Sequence, residues 1–292
     1  MPATVPLREL LTPGAGLIVP GAANALTARI IEHLGYPAVY LTGAGVANSF
    51  LGAPDIGLTT ASEIVAHIAA LREAVEIPII ADGDTGYGNA LNAVRTVKLF
   101  ERAGANAIQL EDQVFPKRCG HFDGKSVIPA QEMVQRIRAA CEARSSSEFL
   151  IVARTDARAV EGLEAALERT AAYREAGADI LFVEAPQSLE ELRRIPQAVA
   201  GPYIVNIVYG GRTPHASAPT AGCAGLRRYP LCKRRYAGRD ACNAANSGAS
   251  ALNGFAGWNR EHDTGVRRTP SHRQTFPMVC SRVPLHNISL TQ

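Results

Sequence analysis

The sequence has no long apolar run, and this absence excludes a membrane-spanning helix. No hydrophobic stretch in the 292 residues reaches the roughly 18 residues that such a helix needs. The chain also lacks the low hydrophobicity of disordered proteins, because 47% of its residues are hydrophobic. A basic segment leading into an apolar one is missing from the N-terminus, so we expect no signal peptide. These features predict a globular protein, and we expect a cytoplasmic location with free thiols in residues 1–211.

Acidic residues are almost missing from the C-terminal part of the sequence. Residues 212–292 contain 12 Lys and Arg but only 3 Asp and Glu, whereas residues 1–211 contain 18 and 24. The formal net charge of +3 therefore combines −6 in the first part with +9 in the second. No strand or helix period is sustained beyond residue 211. We therefore predict a catalytic domain over 1–211 and an irregular basic tail over 212–292.

The first part alternates short apolar runs with stretches of helical periodicity. Strands that are apolar on both faces and alternate with helices indicate a parallel sheet covered by helices. Seven strands are predicted, within residues 17–20, 38–42, 77–82, 107–112, 149–154, 180–184 and 203–208. Helices are predicted within residues 62–75, 90–103, 131–143, 161–176 and 188–200, with Thr60 and Ser188 as N-caps and Gly104 and Gly177 as terminators.

Two α/β architectures fit this alternation. A doubly wound sheet is expected to carry a Gly-x-Gly-x-x-Gly turn after its first strand, and this chain has none there. Polar residues instead follow nearly every predicted strand, as they do at the active-site end of a (β/α)8 TIM-type barrel. Because such a barrel needs eight strands, we predict an incomplete one, in which strand eight and the terminal helices are missing or replaced.

Three interpretations of residues 212–292 are open. The tail could be a disordered basic segment that attracts phosphate or a membrane surface. It could be a small metal or disulfide module, although its four cysteines show no Cys-x-x-Cys spacing. It could also be the frame-shifted translation of a GC-rich gene. We favour the third interpretation, since the barrel ends one strand short, and it predicts open edges at strands seven and one that promote aggregation.

The segment after the third strand carries the strongest local signal for chemistry. Asp82 and Asp84 lie two residues apart at a strand end, so we expect both carboxylates to point the same way. Such oxygen ligands suit Mg²⁺, with Mn²⁺ as a second possibility. A strand-to-helix turn with Asn89 as the helix cap would explain the same residues without a metal. Glu111 or Asp112, at the next strand end, can join the same ion, since neighbouring strands lie about 5 Å apart.

A basic loop with one cysteine follows at residues 117–121. A thiol beside Lys, Arg and His deprotonates readily, so Cys119 can exchange a proton near neutral pH. An incidental cysteine in a basic loop is the alternative. Cys141 lies in a predicted helix, where we expect it to pack.

Further polar residues follow strands two, five, six and seven. Arg154 is placed to bind a carboxylate through two hydrogen bonds. An internal ion pair of Arg154 with Glu184 or Asp156 is the alternative. The Gly-rich turn at residues 42–45 offers backbone N–H groups to an anionic oxygen. Asn206 lies near the end of the seventh strand.

Together these motifs resemble the isocitrate lyase/phosphoenolpyruvate mutase superfamily. The resemblance runs from about residue 7 to residue 214, and no similarity is expected after Pro214. It rests on six segments in order, at residues 82–89, 110–113, 117–121, 152–156, 183–186 and 210–214. The resemblance implies a barrel, a bound Mg²⁺, a small carboxylate substrate and a homo-oligomer. It implies no specific nucleic-acid partner and no membrane partner.

The resemblance also implies a role for individual residues. The implied metal ligands, direct or through water, are Asp82, Asp84, Glu111 and Asp55. The implied substrate-binding residues are Thr42, Gly43, Ala44, Arg154 and Asn206. The implied catalytic residues are Cys119 as the acid/base, Lys117, His121, Arg154 and Glu184.

Cys119 separates the activities within the superfamily, because the phosphonate-forming mutases lack this cysteine and the lyase branch has it. The resemblance therefore implies a Mg²⁺-dependent carbon–carbon lyase that cleaves an alkylmalate-like or methylisocitrate-like 2-hydroxy acid into an α-oxo acid and a second carboxylate. The alternatives are a phosphonopyruvate-type enzyme or carboxyphosphonoenolpyruvate phosphonomutase, an oxaloacetate decarboxylase, and an inactive frame-shifted product.

Overall fold

Strands and helices alternate along the first part of the chain. The structure is a computed structural model that describes residues 5–12, 16–120, 124–208, 213 and 231–235, the last range through its backbone only. The strands are β1 (Leu17–Ala22), β2 (Val39–Leu41), β3 (Ile79–Asp82), β4 (Ala107–Glu111), β5 (Leu150–Thr155), β6 (Ile180–Val183), β7 (Ile204–Val208) and β8 (Leu231–Arg235). The α-helices are α1 (Leu7–Leu10), α2 (Ala25–His33), α3 (Gly43–Val46), α4 (Ala61–Ala74), α5 (Ala90–Arg102), α6 (Ala130–Ala143), α7 (Ala157–Val160), α8 (Leu163–Glu175) and α9 (Leu189–Ala198), and a π-helix covers Ala47–Leu51. None of these helices is long and apolar enough to span a membrane.

The strands form one parallel eight-stranded sheet in the order β6-β5-β4-β3-β2-β1-β8-β7. A parallel bridge between Leu181 of β6 and Tyr203, the residue before β7, joins the two ends of this sheet. The sheet therefore closes on itself, and helices lie between the successive strands from β1 to β7. The TIM-type barrel class predicted from the sequence is confirmed.

Strand β8 corrects one expectation about the basic tail. It pairs with residues 17–20 of β1 on one side and with Ile204–Val208 of β7 on the other. The prediction of open edges at strands one and seven is therefore wrong. The sequence pattern hid this strand because three of its five residues are Lys or Arg, whereas pairing uses backbone groups that every non-proline residue has. The other predictions for residues 212–292 fall outside the described part of the chain, and the boundary at residue 211 stays a prediction.

Two helices that carry weak sequence signals also lie in the fold. Helix α2 begins after Asn24, whose side chain accepts a hydrogen bond from the Thr27 N–H (3.0 Å). Its residues Leu26 and Ile30 are exposed, whereas Ile31 is buried. Apolar residues on two faces obscure the helical period, which explains why the pattern does not predict this helix. Helix α1 has only four residues, too few for a period.

The core has two layers, separated by the sheet. The outer layer lies between strands and helices and includes Ile64, Ile68 and Phe100. The inner layer fills the barrel with side chains from the seven strands β1 to β7, and Leu7 of α1 packs against it. Its members are Leu7, Val19, Ala38, Tyr40, Ile80, Ala107, Leu150, Val152, Ile180, Phe182 and Ile204.

The helix termini follow the predicted capping residues. The Thr60 hydroxyl accepts a hydrogen bond from the Glu63 N–H (3.3 Å), and the Glu63 carboxylate accepts one from the Thr60 N–H (2.8 Å). Ser188 caps α9 through the Glu191 N–H (3.1 Å). Gly104 and Gly177 adopt positive φ angles of 97° and 107° just after α5 and α8, a conformation that glycine tolerates.

The capping box at Thr60 predicts a measurable contribution to stability. Thr60→Ala removes the hydroxyl acceptor at the start of α4, so we expect the free energy of unfolding to fall by about 1 kcal/mol. Denaturant unfolding followed by circular dichroism measures this change. Ser62→Ala is the matched control, because Ser62 is exposed inside the same first turn. Equal stabilities of the two variants would contradict the prediction.

Candidate active site

Six buried polar side chains lie together at the C-terminal ends of the strands. Along a strand, residues two apart share a face, so on six strands one inward-facing residue is followed, two positions later, by a second residue that also points into the barrel. The first residues of these pairs are Tyr40, Ile80, Gln109, Val152, Phe182 and Ile204. The second residues are Thr42, Asp82, Glu111, Arg154, Glu184 and Asn206, all at most 6% exposed. The alternation of β-structure thus assembles the polar cluster.

Asp82 is held by donors from two neighbouring strands and its own turn. Its carboxylate accepts hydrogen bonds from the Gly43 N–H (3.3 Å), the Asp84 N–H (3.3 Å) and the Gln109 amide (3.1 Å). The Tyr40 hydroxyl donates to the other end of the Gln109 amide (2.6 Å) and so fixes its orientation. The Gly43 N–H, predicted to bind substrate, therefore already has a protein acceptor.

The turn after β3 brings Asp84 beside Asp82. Asp84 has a φ of 47°, and Gly86 and Gly88 also have positive φ angles. A Cβ on Gly83 would lie 2.8 Å from the Gln109 carbonyl oxygen, so glycine at this position permits the close contact with β4. Asn89 caps α5 in a capping box, as the alternative interpretation of this segment predicted.

Lys117 joins the acidic residues from the neighbouring loop. Its ammonium group lies 2.6 Å from Asp55 Oδ1 and 2.8 Å from Asp84 Oδ1, and its side chain is 3% exposed. Burial lowers the pKa of Lys117, but Asp84 and Glu111 outweigh this effect and raise it well above its ordinary value. Lys117 therefore stays cationic and fixes the loop to the carboxylates. 

Arg154 is the centre of a second charged group, formed at the ends of β4, β5 and β6. Its guanidinium contacts Asp156 (2.8 Å), Glu111 (3.4 Å) and Glu184 (3.4 Å). Burial lowers the pKa of Arg154, whereas these three carboxylates raise it well above its ordinary value. The internal ion pairs considered as an alternative are thus present. The Asn206 amide donates to Glu184 (3.3 Å), which completes this side of the barrel.

The Cys119 loop lies directly over these residues. A Cβ on Gly120 would overlap Arg154 Nη2 and lie 2.5 Å from Glu184 Cγ, so the Gly120 backbone packs closely against both. The Cys119 N–H donates to the Asp55 carbonyl (3.1 Å), and the Cys119 thiol is half-buried. Glycine at position 120 thus lets the loop place Cys119 next to the polar cluster. His121, the remaining predicted catalytic residue, lies outside the described residues.

The carboxylates fit the chemistry of a hard divalent cation. Glu111 Oε1 is buried and accepts no hydrogen bond from the residues that the structure describes. Burial raises the pKa of Asp84 to about 6 and that of Glu111 well above its ordinary value, although Lys117 opposes both effects. In that part of the chain, no group of three His, Cys, Asp or Glu side chains is arranged to hold an ion directly. The buried Glu111 oxygen beside further carboxylates nevertheless suits a divalent cation such as Mg²⁺, which contacts one or two protein carboxylates and keeps several waters.

The structure also shows site residues that the sequence analysis did not single out. Gln109 supports Asp82, and its position two residues before Glu111 was the available signal. Asp112 does not join the acidic cluster at Asp82: it accepts hydrogen bonds from the Thr155 hydroxyl (2.7 Å) and the Tyr173 hydroxyl (2.8 Å). Of the two acids at the end of β4, only Glu111 thus points into the barrel.

Comparison with known proteins identifies the family. Residues 7–229 match the family model described as phosphoenolpyruvate phosphomutase, so the similarity extends beyond the last motif at residue 214. The chain is 51% identical over 208 residues to 2,3-dimethylmalate lyase of Eubacterium barkeri, covering 71% of this chain and 72% of that protein. It is 47% identical over 221 residues to 2-methylisocitrate lyase of Aeropyrum pernix, covering 76% and 71%.

Solved structures agree with the sequence relatives. The fold matches a 2,3-dimethylmalate lyase, named as a PEP mutase/isocitrate lyase superfamily member, with a TM-score of 0.75 and 35% identity over 88% of this chain and 86% of that one. An inhibitor complex of oxaloacetate acetylhydrolase gives a TM-score of 0.76 and 33% identity over 86% of both chains. A phosphonopyruvate hydrolase complex with oxalate and Mg²⁺ gives 0.71 and 28% over 88% of both.

These relatives share the barrel fold of this chain, and all six motif segments fall inside the region matched by the family model. Because that match covers residues 7–229 and the sequence relatives are lyases, the chain belongs to the phosphoenolpyruvate mutase/isocitrate lyase superfamily of enzymes.

Proposed function

We propose that this carbon–carbon lyase cleaves a 2-hydroxy dicarboxylate or tricarboxylate of the alkylmalate or methylisocitrate type. The products are an α-oxo acid and a second carboxylate. The observation that carries the proposal is the packing of Gly120 on Arg154 and Glu184, which sets Cys119 beside the polar cluster. The names of the two sequence relatives support the substrate class. A cytoplasmic location and a homo-oligomeric state stay predictions.

Two parts of the site bind the two substrate carboxylates. The Arg154 guanidinium carries the positive charge that a substrate carboxylate needs, and Glu111, Asp156 and Glu184 hold it in place. The buried Thr42 and Ala44 follow β2, which lies on the side of Asp82 away from Arg154. We assign the second substrate carboxylate to this turn, as the family resemblance implies, although the Gly43 N–H already donates to Asp82.

Cys119 supplies the proton that completes cleavage. A base removes the proton of the 2-hydroxyl group, the bond between the hydroxyl carbon and its neighbour breaks, and the hydroxyl carbon becomes a carbonyl. The electron pair stays on the departing carbon beside its carboxylate, and the Cys119 thiol donates a proton to that carbon. The loop that carries Cys119 packs on Arg154 and Glu184 through Gly120, and this position would help to keep water from the reactive fragment.

Asp82, Asp84 and Glu111, with Asp55 nearby, would hold a divalent cation, Mg²⁺ or Mn²⁺, at least in part through water. When bound, such an ion supplies Lewis-acid stabilisation of negative charge on the substrate oxygens. Lys117 balances part of the charge of Asp55 and Asp84 and anchors the loop at the same point. The similarity to a phosphonopyruvate hydrolase structure that contains Mg²⁺ supports this assignment.

A substrate panel tests the proposed reaction. We expect pyruvate from 2,3-dimethylmalate or 2-methylisocitrate in the presence of Mg²⁺, because cleavage next to the hydroxyl carbon releases that carbon as the α-oxo acid. Lactate dehydrogenase coupling measures pyruvate. Oxalate from oxaloacetate, detected by chromatography, or loss of phosphonopyruvate, detected by phosphorus NMR, would instead identify one of the neighbouring activities. Turnover of none of them would contradict the proposal and favour the inactive product.

Removal of divalent metal is expected to abolish turnover, and added Mg²⁺ to restore it.

Asp84→Asn is expected to weaken Mn²⁺ binding by more than the roughly tenfold cost of losing an outer supporting residue. Electron paramagnetic resonance without substrate measures the Mn²⁺ affinity. Glu73→Gln is the matched control, because Glu73 is exposed on α4. Unchanged Mn²⁺ affinity in Asp84→Asn would count against the assigned ligand set.

Loss of the thiol is expected to slow the reaction without unfolding the protein. Cys119→Ser should lower kcat by about 10²- to 10⁴-fold, the usual contribution of a positioned acid. Steady-state kinetics measure the loss, and thermal unfolding checks the fold. Cys141→Ser is the matched control, since Cys141 lies on α6 and donates to the Gly177 carbonyl (3.3 Å). Equal kcat values for wild type and Cys119→Ser would remove Cys119 from the mechanism.

A further inference from the structure

The Cys119 loop leaves the barrel between two backbone anchor points. At its base, the Val114 N–H donates to the Ser126 carbonyl (2.9 Å), and Gln113 forms an antiparallel bridge with Val127. The Gln113 side chain also bonds the Arg118 N–H (3.0 Å) and the Arg118 carbonyl (2.8 Å). These contacts fix the base and the beginning of the loop, but none of them reaches Gly120.

Two lysines connect the loop to the strand ends. Lys117 reaches Asp55 and Asp84 on one side of the site. Lys125 reaches the other side: its ammonium group donates to Asp156 Oδ1 (2.7 Å) and to the Gly120 carbonyl (2.5 Å). The Lys125 side chain is only 2% exposed. A buried ammonium group therefore bridges the residue next to Cys119 and a carboxylate of the barrel.

Asp156 is a rigid partner for this ammonium group. It is fully buried, its N–H donates to Asp112 (2.9 Å), and its two oxygens also bind Arg154 (2.8 and 3.1 Å). Burial raises the pKa of Asp156, but Arg154 and Lys125 outweigh it and lower the value to about 2. The carboxylate is therefore charged and shared between Arg154 and Lys125.

We propose that Lys125 is a positioning residue for catalysis, which holds the Cys119–Gly120 backbone against Arg154 and Glu184 through its bond to Asp156. Lys125 contacts neither Cys119 nor the carboxylates of the metal site, so it acts through the loop backbone. A role in fold stability alone would loosen the barrel as a whole. If Lys125 only positions the loop, its loss loosens the loop alone. The reactivity of two described thiols separates these cases, because Cys119 lies in the loop and Cys141 lies on α6. The importance of this position for turnover rests on the proposed function of Cys119.

Site-resolved alkylation of the full chain tests the inference. Wild type, Lys125→Met, Lys125→Gln, Lys125→Arg and the control Lys98→Met, an exposed lysine on α5, are treated with iodoacetamide without substrate. Peptide mass spectrometry then follows Cys119 and Cys141 separately. We expect the Met and Gln variants to alkylate Cys119 about tenfold faster or more, as for loss of a charge-assisted hydrogen bond. Cys141 should react at the wild-type rate in all of them.

The charge-preserving variant and the control sharpen the result. Lys125→Arg and Lys98→Met should resemble wild type, and kcat should fall in the Met and Gln variants but not in Lys98→Met. An unchanged Cys119 rate in a folded Met or Gln variant would overturn the proposal. So would an equal rise at Cys141, which reports general loosening, or a Lys125→Arg rate equal to that of Lys125→Met. An inactive wild-type chain would overturn the proposed function, but the alkylation rates would still decide the role of Lys125.

Discussion

A buried guanidinium among three carboxylates is the interaction on which the active-site end of the barrel depends. Arg154 contacts Glu111, Asp156 and Glu184, which come from β4, the end of β5 and the end of β6. A charge removed from water without partners costs several kcal/mol, so each of these groups requires the others. The same contacts leave the guanidinium fixed before a substrate arrives. A carboxylate that binds there, as proposed, would therefore need little reorganisation of the protein at this point.

The Cys119 loop depends on this charged network and on the acidic residues across the barrel. Lys117 binds it to Asp55 and Asp84, and Lys125 binds it to Asp156. Because both lysines are buried, each bond forms in surroundings where a missing partner would be costly. The acidic strand ends thus do two things: they provide oxygen ligands that suit a divalent cation, and they hold the loop that carries the thiol.

The sequence predicted the parts of the site that follow a simple period. Asp82, Glu111 and Arg154 were predicted because polar residues at the ends of apolar runs share one edge of a parallel sheet. The strand β8 escaped prediction because its pairing uses backbone groups, which leave no trace in a sequence rich in Lys and Arg. Gln109 was missed as a functional residue, since a single amide in a strand has no distinctive spacing.

The sequence by itself determined the barrel class, the positions of seven strands and the set of acidic, basic and thiol residues near their ends. These depend on local periodicity and on residue chemistry, which can be read along the chain. Only the tertiary structure decided which acid faces which base. Glu111 turns into the barrel while its neighbour Asp112 turns out to Tyr173, because successive side chains of a strand point to opposite faces. Likewise, only the folded chain brings Lys125 to Asp156, since that contact joins a loop to a strand end 31 residues away.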